Sequence, residues 1–149
     1  MNSKIPKRLR KSKNTTNKKR LGKFELSESE KKAALLDTIR NTEDINEILR
    51  LTRNQDPKIR LKAIQELCPC KVQKDVDEFW DRLVQMVDDE DDDIRMQVLH
   101  NLCDGSPPHM EFKVKEALES FNCDPNSEIR RKAHKVLSSY TRSGKWNIM

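Results

Sequence analysis

Residues 91–102 read Asp-Asp-Asp-Ile-Arg-Met-Gln-Val-Leu-His-Asn-Leu, and two other segments of the chain repeat their pattern. Residues 56–67 read Asp-Pro-Lys-Ile-Arg-Leu-Lys-Ala-Ile-Gln-Glu-Leu, 35 residues earlier. Residues 126–137 read Asn-Ser-Glu-Ile-Arg-Arg-Lys-Ala-His-Lys-Val-Leu, 35 residues later. All three place an Ile-Arg pair at the same position, followed by apolar residues at helical spacing. A fixed period of this length is typical of proteins built from stacked helical repeats.

The segments between these three follow the same period. Ile48, Leu83 and Leu118 are spaced by 35 residues, and each lies among apolar residues at intervals of three and four. Each repeat is therefore predicted to contain an outer helix, a short turn with acids or proline, and an inner helix that begins near the Ile-Arg pair. One helix pair cannot bury its apolar stripes alone, so neighbouring pairs are expected to stack.

These repeats resemble the HEAT-repeat family. The resemblance rests on the Asp56-Pro57 turn and its looser equivalents, on the Ile-Arg pairs, and on the Ala or Val four residues after each Ile, and it covers about residues 44–140. It implies an all-α fold, a right-handed α-solenoid of three HEAT-like helix pairs with an N-terminal cap helix and a disordered basic arm. Members of this family mostly act as scaffolds that bind proteins, and some bind nucleic acid.

The chain is predicted to divide into four segments. Residues 1–24 lack a periodic apolar pattern and are predicted to form the disordered basic arm. Residues 25–41 form the cap helix and residues 42–142 the repeat domain. Residues 143–149 form a short C-terminal tail, in which the single aromatic residue is interpreted as a lid over the last repeat, with a peptide anchor for a partner as the alternative.

Several residues mark the predicted helix starts. Ser27 and Glu30 have the spacing of a capping box before an apolar run, which starts the cap helix. Thr42 is predicted to cap the first helix of the repeat domain, and Asp56 the second, where Pro57 fits the first helical position because its missing N–H is harmless there.

The net charge of +5 hides an uneven distribution. Residues 1–24 contain ten cations and no acid, which leaves 20 cations against 25 acids in the rest of the chain. Such an arm is typical of segments that bind RNA, DNA or an acidic protein surface, with a nuclear-import signal and a solubility tail as alternatives. The cations predicted to contact nucleic acid are Lys7, Arg8, Arg10, Lys11, Lys13, Lys18, Lys19 and Arg20.

Six consecutive acids, Asp88 to Asp93, precede the second inner helix. The last of them suit the positive end of that helix, but the first lie at the end of the preceding helix, where acids are unfavourable. A solvated turn is the simplest interpretation. The functional interpretation makes Asp88, Asp89, Glu90 and Asp91 the contact for a basic partner or for the protein's own arm, and a weak cation site is a third. An EF-hand is excluded because its glycine and terminal glutamate are absent.

The arginines of the Ile-Arg pairs are predicted to tie neighbouring repeats together through the turns before the inner helices. The alternative is a second polyanion site on the third inner helix, which also carries Lys132 and Lys135, with Arg142 and Lys145 beyond them.

The sequence favours no catalytic or metal chemistry. Cys68, Cys70, His100 and Cys103 have the residue types of a zinc site, but the interpretation favoured here is that the cysteines pack between repeats. The three histidines lie in separate segments without a nucleophile motif, and the three glycines form no phosphate-binding loop. No enzyme, metal or cofactor is therefore predicted.

Two absences bound the location. No stretch approaches the roughly 18 apolar residues of a membrane span, and the N-terminus lacks a signal-peptide pattern. An intracellular protein is expected, cytoplasmic with the nucleus as the alternative. The predicted function is a non-catalytic adaptor that binds an unidentified protein partner and contacts RNA, DNA or a nucleoprotein through its arm. The alternative is a pure protein scaffold whose arm is a targeting or solubility tail.

Overall fold

A computed structural model describes residues 24–72 and 75–149. In this part of the chain every regular element is helical, and no strand occurs, so the predicted all-α class is confirmed. A 3₁₀ turn, Pro108–Met110, leads directly into the sixth helix. The α-helices are α1 (Glu28–Asn41), α2 (Ile45–Leu51), α3 (Pro57–Glu66), α4 (Asp77–Gln85), α5 (Asp92–Leu102), α6 (Glu111–Phe121) and α7 (Ser127–Ser143).

The capping box at the start of α1 is confirmed. The Glu30 amide donates to the Ser27 hydroxyl at 3.3 Å, and the Ser27 amide donates to the Glu30 carboxylate at 2.8 Å. The prediction for α2 is wrong, because Asp44 rather than Thr42 caps it, by accepting from the Asn46 amide at 2.9 Å. Thr42 instead ends α1, and its hydroxyl accepts from the Asp44 amide.

The helices α3, α5 and α7 begin in the same way. Asp56, Asp91 and Asn126 stand at their N-caps, and each side chain accepts a hydrogen bond from a backbone amide of the first turn. At the other end of α7, Gly144 adopts a φ of 68°, the left-handed conformation that favours glycine, and its amide donates to the Tyr140 carbonyl.

The helices pack in a regular order along the chain. The helices α3, α5 and α7 follow one another in contact, while α4 and α6 pack against each other and against α5. The equivalent residues Ile59, Ile94 and Ile129 are all at most 1% exposed. Ala63, Val98 and Ala133, four residues after each Ile, are 0% exposed. The periodic residues of the sequence therefore form the centre of the core.

The N-terminal helix covers α3, and the C-terminal tail covers the turn that follows α5. The helix α1 packs against α3 and fully buries one residue, Ile39. The tail folds back on the turn between α5 and α6, where the Trp146 indole donates to the Ser106 hydroxyl at 2.7 Å. The Asn147 side chain bonds the backbone of the same turn, and the Met149 amide donates to the Cys103 carbonyl at 3.0 Å. The tail thus folds back on the body, as the lid interpretation predicts, but its hydrogen bonds are to the turn between α5 and α6.

Candidate functional site

The residues predicted to bind nucleic acid cannot be placed on this fold, because they lie outside the described residues. They are Lys7, Arg8, Arg10, Lys11, Lys13, Lys18, Lys19 and Arg20. The structure begins at Phe24, whose side chain is exposed.

Two of the three repeat arginines form a ladder between helix pairs. Arg60 donates from Nε and Nη2 to the two carboxylate oxygens of Asp89, at 3.1 and 3.0 Å. Arg95 makes the same bidentate contact with Asp124, at 2.7 and 3.1 Å. The Nη1 atom of each arginine donates to two backbone carbonyls of the turn before its own helix. Each guanidinium therefore joins its own turn to the turn of the next pair, as the sequence predicts.

Hydrogen bonding to charged groups and burial have opposite effects on the pKa values of the ladder residues. Burial raises the pKa of Asp124, but hydrogen bonds from Arg95 and from the Asn126 amide outweigh it and leave that pKa below its usual range. Hydrogen bonds that Arg60 and Arg95 donate to the carboxylates likewise raise the pKa of each arginine. The side chains of Arg60, Asp89, Arg95 and Asp124 are each about nine-tenths buried or more.

The ladder is open at its last position. Arg130 donates from Nη1 to the carbonyls of Asp124 and Pro125, at 2.6 and 2.9 Å, as the other two arginines do in their turns. Among the described residues no carboxylate pairs with its remaining guanidinium edge, and the residue is exposed. At the opposite end, the position equivalent to Asp89 and Asp124 is Asn54, which has no charge.

The predicted partner-binding acids differ in their surroundings. Asp89 is bound by Arg60 and also accepts from the Asp91 amide, and Asp91 caps α5. Glu90 is 82% exposed although it approaches Arg60 at 3.2 Å, and Asp88 is exposed. The run borders an open cleft of about 480 Å³ whose acidic lining also includes Glu119 and Asp124. Of the four predicted partner-binding acids, Asp88 and Glu90 are therefore the two whose exposed side chains a partner could contact.

The outer face of α7 is basic. Its exposed cations are Arg130, Arg131, Lys135 and Arg142, and Lys132 is half-buried beside Glu128, the acid of the first turn. This face is the structural counterpart of the second polyanion site considered from the sequence.

The cysteines do not assemble as the zinc alternative predicts. Cys103 is 0% exposed at the end of α5, and burial raises its pKa to about 12. The ligand atoms of Cys68, Cys70 and Asp104 lie within 4.8 Å of one another, and His100 joins this cluster through Cys68 and Asp104. Sequence reasoning missed Asp104, although its spacing of four residues from His100 places the two on one face.

The distances in this cluster are short. The Cys68 sulfur lies 2.6 Å from the Cys70 sulfur, 3.4 Å from Asp104 Oδ2 and 3.7 Å from His100 Nε2. His100 Nε2 lies 3.6 Å from Asp104 Oδ2. Burial and a hydrogen bond from the Cys70 thiol raise the pKa of Cys68 to about 12, although the Cys70 backbone acts in the opposite direction.

Two further polar contacts between repeats escaped the sequence analysis. Asn101 is fully buried and its amide donates to the Ile64 carbonyl at 2.9 Å. Arg82 donates to both the hydroxyl and the carbonyl of Thr52, and burial lowers the pKa of Arg82. The residues 35 positions from Asn101 and from Arg82 differ in type, so the repeat pattern does not predict these contacts.

The geometry thus defines a class, an all-helical protein of successively packed helices joined by buried ion pairs. Comparison with known proteins adds no family: no family model, no curated protein and no solved structure matches the chain. Within residues 24–72 and 75–149, no helix has the length and the apolar character needed to cross a membrane.

Proposed function

We propose that the protein is a non-catalytic adaptor of the HEAT-repeat kind, whose helical body holds a protein partner and whose basic arm tethers it to nucleic acid or a nucleoprotein. In this proposal α2 to α7 are three HEAT-like pairs in a right-handed solenoid, and α1 is the cap. Support comes from residues 35 positions apart that make the same contacts, the N-caps Asp56, Asp91 and Asn126 among them.

The observation that carries the protein-binding half is the open end of the ladder at Arg130. Arg60 and Arg95 each hold an acid of the next turn, whereas Arg130 presents the same guanidinium edge on an exposed surface. At the first position Asn54 replaces the acid, and among the described residues no arginine bonds its side chain. An acidic turn of a partner would fit Arg130 as Asp124 fits Arg95.

A crosslinking experiment tests this half. A photoreactive residue in place of Arg131, in the full chain, is expected to capture a protein in cells. Arg130→Glu should abolish that capture, because the carboxylate repels the acidic turn, while Arg142→Glu on the same helix should leave it intact. Capture that is indifferent to Arg130→Glu would contradict the proposal.

The proposal that the protein binds nucleic acid depends on the sequence of the basic arm. The basic face of α7 is the alternative binding site. Binding of RNA and DNA oligonucleotides is measured by fluorescence anisotropy across a salt titration. Arm binding is expected to weaken steeply with salt, with a log–log slope of roughly −0.7 to −0.9 for each phosphate contacted.

Two variants of the full chain separate the competitors. One changes Lys13, Lys18, Lys19 and Arg20 to Gln, and its matched control changes Arg131, Lys132, Lys135 and Arg142 to Gln. The arm variant should lose affinity and show a flatter slope, and the control should bind like the unmodified protein. The reverse result would move the site to α7. Absence of binding by the unmodified protein would leave the alternative, a protein scaffold whose arm is a targeting or solubility tail.

A further inference from the structure

We infer that Cys68, Cys70, His100 and Asp104 form a binding site for one zinc ion, which joins the end of α3 to the end of α5. Two thiolates, an imidazole and a carboxylate are ligands that zinc takes in proteins, and four ligands fill its tetrahedral shell. The sequence favours packing cysteines without metal, so this inference departs from that prediction and is independent of the proposed function.

The separations among the ligand atoms of Cys68, His100 and Asp104 fit a small tetrahedral ion. Zinc bonds of about 2.0–2.3 Å place neighbouring ligand atoms roughly 3.3–3.8 Å apart. The Cys68–Asp104, Cys68–His100 and His100–Asp104 pairs lie at 3.4, 3.7 and 3.6 Å. The two sulfurs are closer, at 2.6 Å, so binding requires them to separate by about 1 Å. Cys70 is exposed in a turn beyond the end of α3, where this shift disturbs no helix.

The next interface of the same stack serves as an internal comparison. The positions 35 residues after the four ligands hold Cys103, Gly105, Lys135 and Ser139. The buried cysteine is kept, so packing between repeats accounts for a small residue at that position. The thiol, imidazole and carboxylate around it are not kept, so packing does not require them. The four ligand types are thus present where α3 meets α5 and are not repeated 35 residues later.

Zinc binding would change the protonation of the two cysteines. A zinc ion deprotonates the thiols that coordinate it. Binding would therefore release two protons, one from each cysteine, and the bound site would carry two thiolates, one carboxylate and a neutral imidazole around the divalent cation.

Zinc binding by the reduced full chain tests this inference. Native mass spectrometry is expected to find one zinc per chain, and cobalt(II) in its place should give the absorption of thiolate ligation in a tetrahedral shell. Cys70→Ser, His100→Gln and Asp104→Asn should each weaken binding by about tenfold or more, measured by competition with a chromogenic chelator. Cys123→Ser and His134→Gln, which change exposed residues of the same types elsewhere, should bind like the unmodified protein.

Three results would overturn the inference. The first is a reduced full chain that binds no zinc. The second is zinc retained in Cys70→Ser, which would place the ion at an exposed cluster such as Asp75, Asp77 and His109. The third is a chain that binds zinc in neither redox state and whose peptide map shows Cys68 and Cys70 joined as a disulfide. Circular dichroism of each variant verifies that loss of zinc is not loss of folding.

Discussion

At the scale of single residues, the ladder explains how the body keeps charges in its interior. Removing one partner of a buried ion pair is costly, because the other charge is left without compensation. Here both carboxylate oxygens of Asp124 face Arg95, and the third nitrogen of Arg95 is satisfied by backbone carbonyls. In the described part of the chain no buried side-chain nitrogen or oxygen lacks a hydrogen-bond partner. The ladder therefore fixes the register of neighbouring turns.

This arrangement predicts different costs for two chemically identical substitutions. Arg95→Gln leaves Asp124 buried without its cation and is expected to lower the free energy of unfolding by about 2–4 kcal/mol. Arg130→Gln removes hydrogen bonds to two carbonyls at an exposed site and is expected to cost about 0.5–1.5 kcal/mol. Urea denaturation of the two variants measures the difference.

The pH dependence of the same variants provides the control. The pKa of Asp124 is lowered in the folded protein, so its contribution to stability is present above the unfolded carboxyl pKa and is lost as pH falls through the folded pKa. In Arg95→Gln that contribution should shrink, because burial, which raises the carboxyl pKa, is then opposed by the Asn126 amide without the hydrogen bonds from Arg95. In Arg130→Gln the acid-side loss of stability should largely persist. Equal costs and equal pH profiles would show that the ladder does not act through Asp124.

At the scale of helices, the sequence predicts the inner helices well and their neighbours less well. The period of 35 residues predicts that Ile59, Ile94 and Ile129 are buried, because a fixed repeat puts equivalent residues in equivalent packing. Asp56 is predicted as a cap because proline follows it at a position that tolerates proline. Thr42 and Asp44 are both good capping residues two positions apart, so tertiary packing decides between them.

The cluster at the ends of α3 and α5 shows a second limit of sequence reasoning. Cys103 and Asp104 are adjacent in the turn that follows α5, yet their side chains have different surroundings. Cys103 lies in the core while Asp104 approaches Cys68. Spacing identified the helix end and the correct residue types, but the direction of each side chain depends on how α5 lies against α3, which a single sequence does not contain.

The C-terminal tail acts as a short element without helical structure. Trp146 packs edge-on against Tyr140, with ring centroids 6.1 Å apart, and its N–H is satisfied by Ser106. Asn147 supplies the donor and acceptor that the backbone of the turn at Ser106 needs. The tail thus covers the turn that precedes α6 and forms hydrogen bonds with its polar groups. Trp146, two residues after the glycine that ends α7, takes part in this contact.

At the scale of the whole molecule, contacts join each helix to its near neighbours in sequence. The helix α5 lies at the centre, because α3, α4, α6 and α7 all pack against it. The helix α1 has α3 as its main partner. Local stability follows how much buried packing surrounds each helix. Stability should therefore be highest at α5 and decline toward α1.

Amide hydrogen exchange by mass spectrometry measures that gradient in the full chain. The slowest amides are expected in α5, whose Ile94, Val98 and Leu99 are 0% exposed, and the fastest helical amides in α1, where Ile39 is the one fully buried residue. Arg95→Gln should speed exchange in α5 and α7, because it breaks the rung between their turns, and should leave α1 nearly unchanged. Ser27→Ala should do the opposite, since it removes the cap of α1 without touching the stack. Uniform acceleration along the chain in both variants would mean that the helices unfold as one cooperative unit and that the ladder does not divide stability between repeats.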